Sequence, residues 1–447
     1  MKRILIFICA FLPVLFLSLS VEDITFLLTN WAIGIYAICK ISFVDKKELD
    51  CGFSLFNSNT MLYLFVYFFL CIAPLSQFSS HINLWGGVPL RSESYIKANV
   101  IFIFAIIIYQ LSYSFFLYNY NNRKVYNSKA IEKINISILL LISLFSFFIT
   151  IYHFRNTPIL LFLRELNRGG GEIILDKNSF GNTSIDLIYT IFLRPIPVFA
   201  LVILNYVHKK GKVIIKILLL LICILSNFPL AVSRFYVAAI YLPLFISFFP
   251  NLLHKEHMLK VSVIIGLLYI FPFLNQGRRV MSFKEIEISF APNYQMFNQG
   301  HFDTYQNAAR VFENETITYG NQLLGSIFFF IPRSIWPSKP IGSGGFIAKK
   351  YNLNFSHISL NFWGEGFINF GYFGVFLFSI LIAFLNFRYD ELFSRSEKGS
   401  LGYLLYTIYL GTLFFFLRGD LISSIAYLVG LLFSAYFVYF IAIKESK

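Results

Sequence analysis

Apolar stretches of about twenty residues recur along this chain from one end to the other, and that recurrence decides the fold class. A segment inside the hydrocarbon core of a bilayer must satisfy its own backbone N–H and C=O groups, so such a run becomes a helix. About twelve runs meet the length that a crossing needs: 4–20, 24–43, 60–78, 96–118, 134–153, 185–207, 213–231, 234–250, 260–275, 362–387, 401–417 and 421–443. The segment 323–331 is too short to span and is expected to be re-entrant or interfacial. With 57% hydrophobic and 13% charged residues, the expected class is an all-α polytopic membrane protein forming one integral membrane domain over 1–447. The 55 phenylalanines are expected as lipid-facing and interhelical bulk. The first run resembles a signal peptide in its basic start and small residues Ser18 and Ser20, but with so many spans behind it an uncleaved helix is expected.

Orientation follows from the basic residues of the short loops. Lys2 and Arg3 precede the first span. Arg123, Lys124, Lys129 and Lys133 share one connection, and Lys209, Lys210, Lys212 and Lys216 share the next of the same parity. Lys255, Lys260, Arg388, Arg395, Lys398, Lys444 and Lys447 follow suit, so both termini are expected to be cytoplasmic. In this topology 16 of 22 lysines are cytoplasmic, whereas 11 of 15 arginines lie on the outer face. Lysine inside is ordinary; arginine outside is not, because its fork binds phosphate and carboxylate bidentately and keeps its proton. A net charge of +14 in a soluble protein would suggest nucleic acid; here much of it is a collar beside anionic lipid, and no nucleic-acid partner is expected. The five cysteines, Cys9, Cys39, Cys51, Cys71 and Cys223, show neither a zinc spacing nor a disulfide framework.

Two long outer segments, about 154–184 and 276–361, are where function is expected. In the first, Arg164 and Arg168 stand four apart and would share one helix face, followed by Gly169 to Gly171, whose freed N–H groups suit an anion nest. The bland alternative is an exposed amphipathic helix with a glycine stop. The second opens with Arg278 and Arg279, contains His301, Asp303 and Arg310, and closes with Arg333, Trp336, Lys339 and Gly344. Arg333 and Lys339 are the strongest cation candidates, against the alternative that they touch lipid headgroups. Trp336 is a candidate sugar platform or an interfacial anchor. Lys349 and Lys350 are expected on a solvated surface. Glu365, at the outer start of a span, is either a base or a structural ion-pair partner. His357 is a candidate base or a surface histidine. Arg194, followed by helix-breaking Pro195 and Pro197, and Arg234 stand near the outer ends of spans, while Arg418 and Asp420 share a tight outer turn, where they could form a local ion pair. There is no phosphate loop, Rossmann fingerprint, nucleophile elbow, zincin motif or outer-loop acidic pair, so no cofactor or metal is expected and cations would carry any phosphate charge.

At Gly277-Arg278-Arg279, Pro332-Arg333-Ser-Ile-Trp336-Pro337-Ser-Lys339-Pro340 and Glu365-Gly-Phe-Ile-Asn369-Phe-Gly371, the chain resembles the bacterial O-antigen polymerases (Wzy-type oligosaccharide repeat-unit polymerases). The motif-level likeness covers about 275–375; the topology resembles that family throughout. The family pattern of an outer-loop arginine, ten residues and a glycine is met by Arg333 and Gly344, but not by the first outer segment. The resemblance implies a metal-independent glycosyltransferase of the inner membrane, with a fold like the C-class integral-membrane glycosyltransferases and its active face periplasmic. It would join undecaprenyl-diphosphate-linked oligosaccharide donor and acceptor, releasing undecaprenyl diphosphate, among membrane lipids and with a chain-length regulator as partner. Arg278, Arg279 and Arg333, backed by Lys339 and Arg194, would stabilise the diphosphate; Glu365 or His357, then Asp303 and His301, would take the acceptor proton. The alternatives are the related O-antigen ligase and the lipid-linked oligosaccharide flippase, whose cations should line a central cavity.

Overall fold

The computed structural model describes residues 2–43, 47–48, 51, 53–54, 56–120, 128–163, 166–168, 172–174, 180, 183–208, 211–249, 251, 253, 260–261, 263 and 294–443. Its helices follow in order as α1 (Lys2–Ser18), α2 (Ile24–Ser42), α3 (Ser58–Ser79), α4 (Ser92–Tyr118), α5 (Ile136–His153), α6 (Ser184–Val207), α7 (Val213–Ser226) and α8 (Arg234–Phe248). After these come α9 (Thr304–Glu313), α10 (Asn321–Ile327), α11 (Ser343–Lys350), α12 (Phe362–Ser394), α13 (Leu401–Arg418) and α14 (Leu421–Ala442). Among the described residues the only strands, β1 (Leu166–Arg168) and β2 (Glu172–Ile174), form one antiparallel ribbon.

Eight of these helices are long and apolar enough to cross a membrane: α2 to α6 and α12 to α14. The protein is a helical, polytopic membrane protein. Three further expected spans are shorter apolar helices, Ile6–Ser18, Val213–Ser226 and Arg234–Phe248. The expected span 260–275 lies, apart from 260–261 and 263, outside the described residues. The run 213–231 ends early because Asn227 takes up helix-end carbonyls and Pro229 disfavours a helical residue before it. Conversely, α12 outlasts its apolar run: Arg388 pairs with Glu391 at 2.8 Å, three residues apart on one face.

Polar caps start several helices. Asp23 accepts from the Phe26 N–H at 2.9 Å, Asn57 from Thr60 at 2.8 Å, and Ser233 from Tyr236 at 3.3 Å. Each satisfies an N–H that the first turn leaves without a partner.

The chain forms two compact units. The first comprises Met1–Arg123, Asn293–Ser394 and Leu413–Ala426. Here α12 packs along α4, and α9 lies against both. Aromatic contacts fill the joint: Tyr305 stacks on Tyr95 at 5.6 Å, and Phe102 touches Tyr305, Phe312 and Trp363. Helix α3 is buried on all sides and α2 wraps its middle turns. The second unit comprises Lys124–Pro292, Arg395–Thr412 and Tyr427–Lys447. Its centre is the second half of α6, Val198 to Leu204, fully buried among α5, α7 and α8. The first half of α6 stops at a turn at Arg194–Pro195, where the missing proline N–H and the ring break the helix as the sequence implied.

Helix α12 is not straight. Phe370 (φ −141°, ψ 19°) and Gly371 (φ 61°, ψ −145°) leave the helical region, and a left-handed φ is what glycine tolerates. The break frees the carbonyls before it. An incoming segment takes them: the Thr318 N–H donates to Ile368 O at 2.7 Å and the Gly320 N–H to Asn369 O at 3.0 Å. The Asn369 side chain finishes the joint, accepting from the Leu323 N–H and donating to Glu365 O, both at 2.8 Å.

Candidate functional site

The first turn of α12 carries Glu365 into the interior of the first unit. Asn361 starts that turn, its Oδ1 accepting from the Gly364 N–H at 2.8 Å, and Glu365 is fully buried. Its carboxyl accepts from Ser343 Oγ at 2.6 Å, at the start of α11, and from the Leu421 N–H at 3.0 Å, at the start of α14. The third group is the Asp420 carboxyl, which lies against Glu365 and is faced by the N–H groups of Ser343, Gly344 and Ile422, while its Oδ1 has no hydrogen-bond partner. Three helix starts therefore converge on two acids. Helix N-termini favour negative charge, yet burial outweighs the facing N–H groups and pushes the Asp420 carboxyl up to about 6. Held at about 6, the Asp420 carboxyl can take up a proton near neutral pH and so serve as a base.

The pair fits only because Gly342 has no side chain. A Cβ there would sit 1.9 Å from Asp420 Oδ2, whereas one on Gly345 would meet nothing closer than 3.6 Å. Gly342→Ala is expected to lower stability by about 1–3 kcal/mol through overpacking, and Gly345→Ala to be tolerated. Thermal unfolding of the detergent-purified variants measures both, and equal melting of the two would contradict the contact.

Arg418 does not pair with Asp420, two residues away. Its partner is Asp303, at 3.1 Å, and it also donates to His301 O at 2.8 Å and Gly300 O at 3.3 Å. The other Asp303 oxygen accepts from Trp85 Nε1 at 2.9 Å and the Ser359 N–H at 3.2 Å. Burial raises the Asp303 carboxyl, with Arg418 opposing. Both partners are engaged on all sides, so this ion pair ties the turn before α14 to the start of α9. The correction has a geometric cause: Arg418 ends α13 and turns toward α9, while Asp420 begins α14 and turns toward Glu365. Glu365, Asp303 and Arg418 thus meet at one turn.

Arg333 and Lys339 also come together. Arg333 Nη1 donates to Lys339 O at 2.5 Å and Nη2 to Pro340 O at 3.1 Å. Lys339 Nζ donates to Phe329 O at 2.6 Å and Ile331 O at 3.0 Å. Burial and the neighbouring Arg333 lower the lysine's proton affinity. The two cations close a loop that leads into Gly342 and so to Asp420. Trp336 lies in the same loop, its Nε1 donating to Ser338 Oγ at 3.0 Å.

Arg194 and Arg234 belong to the second unit, both buried. Arg194 Nε donates to Ser226 O at 2.7 Å, and its Nη2 has no hydrogen-bond partner. Asn227 Nδ2 donates to Arg194 O at 3.1 Å, and the Phe154 ring lies 5.5 Å from the guanidinium. A buried cationic donor left open is costly unless something anionic or wet meets it. Arg234 is the first residue of α8, behind the Ser233 cap. His153 approaches Asp186 at 3.7 Å.

The remaining candidates are dispersed. His357 is exposed, edge-on to Phe355 at 5.8 Å, whereas Glu365 is fully buried. Arg310 is buried and donates to Asn83 Oδ1 at 2.5 Å and Gly86 O at 3.0 Å. Lys349 and Lys350 are exposed as expected, and Lys350 donates to Thr316 Oγ1 at 2.9 Å. Arg168 lies in the ribbon and not on a helix, its backbone opposite Glu172 and that of Leu166 opposite Ile174. The β-branched Ile173 and Ile174 suit a strand. Arg164, Arg278 and Arg279, together with Gly169 to Gly171, lie outside the described residues.

Asp420, Ser343 and Asn369 are the participants that sequence reasoning had not placed at the site. A signal existed for Asp420: an acid directly before an apolar run is an N-cap pattern. Compared with protein-family models, with curated proteins and with solved structures, the chain matches none of them.

Proposed function

We propose that this protein is a membrane glycosyltransferase of the O-antigen polymerase kind, joining lipid-diphosphate-linked oligosaccharide repeats on the periplasmic face of a bacterial inner membrane. The observation that carries the reading is the buried Glu365–Asp420 pair, set where three helices begin. In the proposed step, an acceptor hydroxyl oxygen bonds to the anomeric carbon of the donor's reducing-end sugar. The bond from that carbon to the diphosphate oxygen breaks, the diphosphate leaves as an anion, and the hydroxyl proton passes to the acid pair. Charge grows on the leaving diphosphate, and preorganised cations lower its energy. Arg333 and Lys339, in the loop that leads into Gly342 against Asp420, are the candidates for such cations. The likeness at Arg333 to Gly344 and at Glu365 to Gly371 supports the same reading. With the three shorter apolar helices and the run 260–275, the topology would have about twelve spans and both termini cytoplasmic.

The decisive experiment is a lipopolysaccharide gel of a strain deleted for this gene. Loss of the ladder, with lipid core still carrying a single repeat, is the expected result. Core without any repeat, and polymer accumulating on its lipid carrier, would make the protein a ligase instead. Repeats trapped on the cytoplasmic face would make it a transporter.

A further inference from the structure

The segment after the α12 kink contact carries an apolar surface that the proposed chemistry does not use. From α10 onward Leu324, Ile327, Phe328, Phe330, Ile335 and Ile341 all expose their side chains, Phe330 by 64% and Ile335 by 75%. So many large apolar groups within one short segment form a patch that water does not favour. The patch is also continuous with a spanning surface. Gly320, just before α10, lies against the Phe370 ring, and beyond the kink Phe370, Tyr372, Phe373, Leu377 and Leu381 are exposed along α12. On a helix apolar and long enough to cross a membrane, that stripe faces lipid.

The backbone of this loop is equipped for the same surroundings. Non-helical carbonyls at membrane depth need partners other than water. Arg333 takes the carbonyls of Lys339 and Pro340, and Lys339 takes those of Phe329 and Ile331. Four carbonyls are therefore satisfied by two side chains of the loop itself, and the exposed Arg333 keeps a positive charge beside the apolar patch. An apolar face bordered by a cation complements one partner chemistry, acyl chains topped by headgroup phosphates.

We infer that Asn321–Ile341 is an interfacial anchor, its apolar side chains among the acyl chains of a phospholipid leaflet, the exposed Arg333 at the level of the phosphates and the buried Lys339 holding the loop backbone. Through Asn369, which binds both this segment and the Glu365 backbone, the anchor sets the depth of the acid pair relative to the bilayer surface. This inference does not depend on which reaction the acid pair serves.

Trp336 reports on it directly. The full-length protein and Trp336→Phe are reconstituted into vesicles of phosphatidylcholine and phosphatidylglycerol, and the difference in their tryptophan emission isolates residue 336. Lipids brominated high on the acyl chain are expected to remove most of that difference emission, while aqueous iodide leaves it largely intact. Quenching by iodide, or no quenching by the brominated lipids, overturns the inference. Activity is not the readout, so failure here and failure of the glycosyltransferase reading are separate results.

Discussion

Asp420→Asn is expected to reduce glycosyl transfer by about 10²- to 10⁴-fold, the range over which a positioned base contributes, with the protein still folded in the membrane. Asparagine is nearly as good as aspartate at capping a helix, so the start of α14 survives while the proton acceptor is lost. Glu365→Gln is expected to do less harm, since its amide oxygen still accepts from the Leu421 N–H while its amide N–H donates to Ser343 Oγ, a hydroxyl that can accept as well as donate. The pH dependence separates catalysis from stability. Asp420 sits at about 6, above its ordinary 3.8, with Glu365 and the Ser343, Gly344 and Ile422 N–H groups facing it. The deprotonated, proton-accepting form gains as pH rises through about 6, so transfer rises there. The folded state, however, holds that proton more tightly than the unfolded chain. Its stabilising contribution is complete below the ordinary carboxylate value and is lost as pH rises through about 6. Activity and melting temperature should therefore move in opposite directions across this window. Transfer of a labelled repeat by reconstituted protein, and thermal unfolding in parallel buffers, test both. An Asp420→Asn protein that builds normal chains would remove the acid pair from the mechanism.

Arg418→Ala is expected to destabilise the protein by about 3–5 kcal/mol, because it leaves the Asp303 carboxyl buried and uncompensated. The loss includes the donor bonds to His301 O and Gly300 O, which hold the start of α9 against the end of α13. A deficit of this size lowers the amount of protein that survives in the membrane. Asp303→Asn combined with Arg418→Met should recover much of the loss, since replacing a whole buried pair is often close to neutral. The double-mutant cycle, read as thermal unfolding in detergent, thus distinguishes the ion pair from simple packing. A wild-type melting curve for Arg418→Ala would mean that the pair contributes nothing.

The contrast between these two carboxylates could not be read from the chain. Asp303 and Asp420 both precede helices, and both stand near basic or polar residues in sequence. Asp303 is saturated by Arg418, Trp85 and Ser359, groups 56 to 218 positions away. Asp420 instead meets Glu365, another acid. Local spacing suggested that Arg418 and Asp420 would neutralise each other, and the turn between α13 and α14 points them to different helices. Likewise Arg333 and Lys339 were recognisable as a cationic motif, but their use of loop carbonyls depends on how Phe329 to Pro340 folds back on itself. Spacing predicted a helix through Arg168, but Leu166–Arg168 pairs with Glu172–Ile174, a partner that a helical period cannot reveal.

What the amino-acid order determined by itself is the class and the positions of the spans. Hydrocarbon allows a chain only one economical way to satisfy its backbone, so an apolar run of sufficient length is already a helix. The proline break at Arg194 and the caps at Asp23, Asn57 and Ser233 are local in the same sense. The tertiary structure alone decided which helix starts converge, how the kink at Phe370–Gly371 finds partners in Thr318 and Gly320, and which acid lies beside which. These depend on contacts between residues far apart in the chain, where burial reverses the ordinary preference of a carboxylate for its charge.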